Sequence, residues 1–228
     1  RGADMNAKQY RFLDLPFLAA SENRVGILQF LVEQGWVPDS QSALNVSLLN
    51  AAELGFVETL RFFHQLGGKV DAPHVTQDDY LHYGKEQVLM PLAETAFWGH
   101  IECVKYLHQS GANMQATGSD NAPAIIKSMK RAHHEVSEYI ARNDPKSLET
   151  VYKGKPLTHW AAVFDSLPVM AALYENGADM SGVPALIAEF RSLETLLFLS
   201  KLGVDIDAPS ADGNTAYQAA QQSGNTRI

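Results

Sequence analysis

The chain has one cysteine, Cys103, in 228 residues. No internal disulfide can form, so covalent staples contribute nothing to its stability. A lone thiol fits a reducing compartment, and the expected location is the cytoplasm. Positive charge is also scarce: 18 Lys and Arg stand against 26 Asp and Glu, a formal net charge of −8. A surface of that sign repels phosphate backbones and argues against nucleic-acid binding. Long apolar runs are missing as well. Runs such as 196–199 fall far short of the ~20 residues a membrane-spanning helix needs, so no membrane insertion is expected. No signal-peptide pattern is visible, although Arg1 is not a natural start and leaves room for a removed leader.

Catalytic signatures are absent too. There is no HExxH, CxxC, GxSxG or kinase motif. Gly67, Gly68 and Lys69 follow a helical pattern rather than a strand and lack the rest of a phosphate loop. Eight histidines invite a metal reading, but His133 and His134 are adjacent and diverge on a helix. His100 and His108 lack a Cys, Asp or Glu at a zinc spacing. Cys103 sits where an apolar helix wants a buried residue, which makes it core filler rather than a nucleophile. No catalytic residue, metal or cofactor is expected.

What is present is a globular composition, 46% hydrophobic and 19% charged, and a repeat. VETLRFFHQLGGKVDAP at 57–73 returns at 193–209 as LETLLFLSKLGVDIDAP, nine of 17 positions identical at an offset of 136. Shorter echoes of its ending recur as GADMNA (2–7), EQGWVPD (33–39), QSGANMQA (109–116) and ENGADMSG (175–182). The glycines Gly2, Gly35, Gly67, Gly111, Gly177 and Gly203 are spaced by 33, 32, 44, 66 and 26. The 66 is two units of 33, with Asp144 where the missing glycine would stand. Upstream of these anchors lie LPFLAASEN (15–23), SLLNAAELG (47–55), PLAETAFWG (91–99), PLTHWAAVFD (156–165) and TAYQAAQQSG (215–224).

These motifs resemble the ankyrin repeat, whose pattern is T-P-L-H-x-A-A-x-x-G-H, then an apolar helix, then G-A-D. GHIECVKYLHQSGANMQA (99–116) is the nearest single copy. Small Ala pairs, such as Ala51 and Ala52, let two short antiparallel helices approach closely. The resemblance implies an all-α fold, an α-solenoid of about six helix-turn-helix units. Partial units close the ends, and short β-hairpin fingers join most units. A single domain over 1–228 is expected, with repeat helices near 11–34, 43–66, 91–110, 123–143, 157–176, 183–202 and 214–228. Both ends cut through repeats, as if the chain were a piece of a longer protein.

Departures from the period locate the irregularities. The 44-residue interval places an insertion at 74–90, and the 26-residue interval removes most of a finger between Asp179 and Pro184. Ala132, Asp165 and Arg191 replace the glycine that links the two helices, so those copies are expected to pack less regularly.

The resemblance also implies function: binding of a protein partner on the concave surface made by the fingers and the exposed face of each first helix. In this register the two residues before the linking position face that groove. Candidates for partner contact there are Phe97, Trp98, Lys130, Arg131, Phe164 and Phe190, with Lys127 one turn earlier. Tyr80 and Tyr83 in the insertion are further candidates. Aromatics beside cations in an acidic chain point to a partner segment that is both apolar and acidic. The expected protein is a monomeric targeting or scaffold arm. The alternative is a substrate-recruiting region of an enzyme whose catalytic domain lies outside the chain. Divergent repeats of this kind resemble the ankyrin arms of bacterial effectors, which would place it in a host cytosol.

Overall fold

The computed structural model describes residues 15–77, 86–190 and 193–225. Its contacts divide the chain into two compact units, Arg1–Ala124 and Ile125–Ile228. In the first, helices come in antiparallel pairs: α1 (Leu15–Ser21) with α2 (Val25–Glu33), α3 (Gln41–Glu53) with α4 (Val57–Gln65), and α5 (Pro91–Trp98) with α6 (Ile101–Gln109). First helices α1, α3 and α5 pack in series, and so do second helices α2, α4 and α6. This is the helix-turn-helix stacking the repeats predict.

The second unit contains α7 (Ala124–Lys130), which starts at the boundary, and α8 (His134–Asn143). A short 3-10 turn (Pro145–Glu149) and a hairpin of β3 (Val151–Tyr152) and β4 (Lys155–Pro156) follow. Then come α9 (Leu157–Val163), α10 (Leu167–Glu175), α11 (Val183–Phe190), α12 (Leu193–Leu202) and α13 (Ala216–Gln222). Here α9, α11 and α13 pack in series, as do α8, α10 and α12.

Second helices of nine residues are too short to hold in water alone. Burial of one apolar face against the neighbours supplies the missing stability: Leu60 and Phe63 of α4 and Val104 and Leu107 of α6 are almost fully buried. Helix starts are marked locally. Ser40 caps α3 by accepting from the Ala43 amide at 3.1 Å. Thr215 and Gln218 form a capping box at α13.

The turn between paired helices repeats through the chain. Asn23, Gly55, Gly99, Ala132 and Asp165 all have positive φ, between 52° and 80°. The following amide reaches back to the carbonyl five residues earlier in each case, from Phe56 to Ala51 and from Ser166 to Ala161 at 2.9 Å. Ala132 and Asp165 therefore turn as regularly as the glycines. The helices on either side hold the left-handed residue in place. Arg191 lies outside the described residues. At Gly55 the glycine has a second reason: a Cβ would come within 2.6 Å of the His100 ring. The His100 Nε2 bonds the Glu53 carbonyl oxygen at 2.9 Å, so His100 is a structural link.

Where the left-handed residue has a polar side chain, the next repeat answers it. Thr59, four residues after Gly55, donates its hydroxyl to Asn23 Oδ1 at 2.7 Å. Thr195 donates likewise to Asp165 Oδ1. Where that residue is Gly55 or Ala132, the equivalent later positions are the buried, apolar Cys103 and Val169. A buried polar atom must be paired, so the two positions change together along the chain.

Two irregularities were expected from the intervals. The insertion forms a hairpin of β1 (His74–Gln77) and β2 (Glu86–Leu89), with His74 opposite Leu89 and Gln77 opposite Glu86. It is sewn to the next finger: Ser119 donates its amide to the Val88 carbonyl at 3.0 Å, and Ser119 Oγ accepts from the Val88 amide at 2.7 Å. Gly118 permits this contact, since a Cβ there would lie 2.2 Å from the Val88 oxygen. Between Asp179 and Val183 a bare turn leads into α11, with no strand, as the short interval predicts. At the position of the anchor glycines, Asp144 differs from Gly111 and Gly177. It is extended (φ −133°, ψ 90°) rather than left-handed, because Pro145 disfavours anything but extended backbone before it.

Candidate protein-binding surface

Trp98 ends α5, a helix whose residues 91–96 are all buried. Its indole is 52% exposed and meets the Phe97 ring edge-on at 5.2 Å. One repeat earlier the same position holds Leu54, 48% exposed, and on α1 Phe17 is 59% exposed. These three side chains, from three successive first helices, border a groove of about 430 Å³. Ala20, Ala51, Ser47 and Asn50 line it too, and among the described residues Glu53 is the one formally charged residue lining it. An apolar concavity with a few polar groups at its edge is suited to taking an apolar side chain from another molecule.

Phe17 was missed by sequence reasoning. A signal existed: α1 carries Leu15, Phe17 and Leu18, more large apolar residues than one buried face can use.

In the second unit the candidates fare differently. Lys130 and Arg131 are exposed. Lys127 is only 6% exposed, so it is withdrawn as a surface contact. It lies within 124–129, a run buried throughout, which leaves no face of that part of α7 for solvent. Phe164 is half-buried and stacked on Trp160, with centroids 5.6 Å apart and planes at 22°. The Trp160 Nε1 donates to the Tyr152 carbonyl at 2.8 Å, fixing the stack to the β3–β4 hairpin. Phe164 is thus already engaged within the chain. Phe190 ends α11, and its side chain is not described; Tyr80 and Tyr83 lie outside the described residues.

A further cavity of about 470 Å³ lies beside the turn that replaces the missing finger. Its walls are mixed, with Lys155, His159, Asp179, Glu189 and Asp212 among them. Burial, and then the Lys155 charge, hold the His159 pKa below its ordinary value, with Glu189 opposing. Hydrogen bonds from Ser181 hold the exposed Asp179 carboxyl below its ordinary value.

The chemistry of the remaining candidates is quiet. Burial, with a contribution from Glu102, pushes the Cys103 thiol up to about 12, which makes it a poor nucleophile at neutral pH. Among the described residues no group of three or more His, Cys, Asp or Glu is placed to hold a metal ion. Among them, too, no helix is long and apolar enough to cross a membrane.

Residues 89–182 match the ankyrin-repeat family model, in three copies. Among solved structures, the crystal structure of the human ASB11 ankyrin repeat domain superposes with a TM-score of 0.66 at 21% identity, covering 90% of this chain and 91% of that one. A chain of the complex between the Bd0816 predatory endopeptidase of Bdellovibrio bacteriovorus and immunity protein Bd3460 gives a TM-score of 0.58 at 20% identity. That match covers 78% of this chain and 92% of the other. A search of curated proteins finds no match.

Proposed function

We propose that this chain, whose residues 89–182 match the ankyrin-repeat family model and whose fold superposes on an ankyrin repeat domain, grips a partner protein with the first-helix face of its first unit. Ankyrin repeats are in general protein–protein interaction modules. The observation that carries the reading is the groove between Phe17, Leu54 and Trp98, three large apolar side chains that are each about half exposed. Side chains of this kind supply most of the energy of an interface when a partner covers them. Lys130 and Arg131 are proposed as additional, charge-based contacts from the second unit, with the chain acting as a non-catalytic targeting or scaffold arm.

The test compares the chain with a Phe17→Ser/Leu54→Ser/Trp98→Ala variant, both immobilised and exposed to the same lysate. Proteins retained by the first and lost by the second support the reading. Identical recovery, with unchanged helical content by circular dichroism, would sink it.

A further inference from the structure

A second cavity of the first unit, about 330 Å³, lies among the start of α1, the Trp36–Ser40 turn and α3. Trp36, Pro38, Val46 and Phe17 contribute apolar walls. Phe17 and Ser47 line both this cavity and the groove beside Leu54 and Trp98, so the exposed Phe17 ring is a wall shared by two adjoining bays. Each bay falls in the size range of ligand pockets, about 300–1,000 Å³.

Their charge is one-sided. Glu53 lines the first bay and Asp39 the second, and among the described residues no Lys, Arg or His lines either. Beyond the lining residues, the exposed Glu22 and Arg24 follow Ser21 and offset one another. Lys130 and Arg131, which suggested an acidic partner, belong to the other unit. For these two bays the sign is reversed.

We propose that the two bays take one continuous segment of a partner protein that carries two large apolar side chains, one for each bay, flanked by lysine or arginine. This rests on the protein-binding reading above and adds the number of anchors and the sign of the flank. The anchors bury Phe17, Leu54, Trp98 and Trp36, which supplies affinity. Carboxylates at the walls attract a cationic flank and repel an acidic one, which sets specificity and speeds encounter. Two anchors on one segment bind as a unit, because the second enters at high effective concentration once the first is seated.

The test starts from a random peptide library displayed on phage and panned against the whole chain. Enriched peptides are synthesised, and their affinity is measured by fluorescence anisotropy. Expected are peptides of net positive charge with two large apolar residues. Phe17→Ala, which damages both bays, lowers their affinity by about tenfold or more. Asp39→Lys/Glu53→Lys abolishes the preference for cationic flanks, and renewed panning on it enriches acidic ones. Unchanged melting temperatures show that the variants fold.

Enrichment of acidic peptides, or binding indifferent to Phe17→Ala and to the charge reversal, overturns the proposal. In the first of these the groove reading survives while this one falls; in the second the peptides bind elsewhere, so the groove falls too. No enrichment at all overturns both. A dimer in sedimentation velocity that Phe17→Ala dissolves means a second copy fills the bays, which also overturns it.

Discussion

Trp98 and Phe164 stand at the same place in their repeats, each immediately before a left-handed residue, at Gly99 and Asp165. One is a half-exposed ring beside an open groove, and the other is stacked. The cause lies one helical turn back. Four residues before Phe164 is Trp160, whose indole is tied to the Tyr152 carbonyl and offers a flat face. Four residues before Trp98 is Glu94, itself buried, and the indole meets only the edge of Phe97. Position in the repeat says which way a side chain points. Its neighbour one turn earlier decides whether it is free for a partner.

The joints between repeats teach the same lesson. Asn23 and Asp165 are answered by Thr59 and Thr195, whereas Gly55 and Ala132 are followed at that position by Cys103 and Val169. Equivalent positions carry different chemistry, and each choice is consistent only with its own partner.

The strongest way to break the first contrast is Trp160→Ala. It removes the stack and the bond to Tyr152 together. The expected loss is about 2–3 kcal/mol in equilibrium urea unfolding, below the ~3–5 kcal/mol of a fully buried aromatic because Trp160 is partly exposed. A loss no larger than that of Trp98→Ala would show that the stack contributes nothing. Next comes the joint. Asn23→Gly leaves the fully buried Thr59 hydroxyl without its acceptor and is expected to cost about 1–2 kcal/mol. Adding Thr59→Val should restore most of that, since no buried polar atom is then left unpaired, and a double-mutant cycle reads the coupling.

Smaller still is the direct comparison of the two rings. Phe164→Ala should cost about 1 kcal/mol, in keeping with an aromatic pair worth ~0.5–1.5 kcal/mol. Trp98→Ala should stay within about 0.5 kcal/mol, as exposed substitutions do, while lowering partner capture. If capture is untouched and stability falls, Trp98 belongs to the fold and the contrast disappears.

The slightest effect comes from His159, whose ring packs edge-on against the same Trp160 at 5.2 Å. Its pKa is lowered in the folded chain from an ordinary 6.5, so the unfolded chain takes up the proton first as pH falls. Stability should therefore drop as pH decreases from 6.5 toward the lowered value and recover as it rises. Urea midpoints measured across that window should slope upward with pH, and His159→Gln should flatten the slope.

Much of the fold was legible because repeats write their turns in fixed places. The linking positions at 23, 55, 99, 132 and 165 were readable even where glycine was absent, since the flanking helices kept the period. The insertion and the missing finger followed from intervals alone. What could not be read was cover. Lys127 and Lys130 are three residues apart on one short helix, yet only Lys130 reaches solvent. Phe17 sits two residues from the buried Ala19 and yet forms the wall of two bays. Asp144, in the place of an anchor glycine, is extended because of the proline that follows it.

By itself the sequence determined the repeat unit, the pairing of short helices, the inert setting of Cys103 and the absence of a known catalytic signature. Those depend on residues within one repeat, where turn chemistry and apolar period act over a few positions. Only the tertiary structure decided which members of the first-helix row are available. Availability depends on packing between repeats and on the hairpins beside them, and those contacts join residues tens of positions apart. Trp98 and Phe164 look interchangeable along the chain, and their neighbours in space make one a surface and the other a brace.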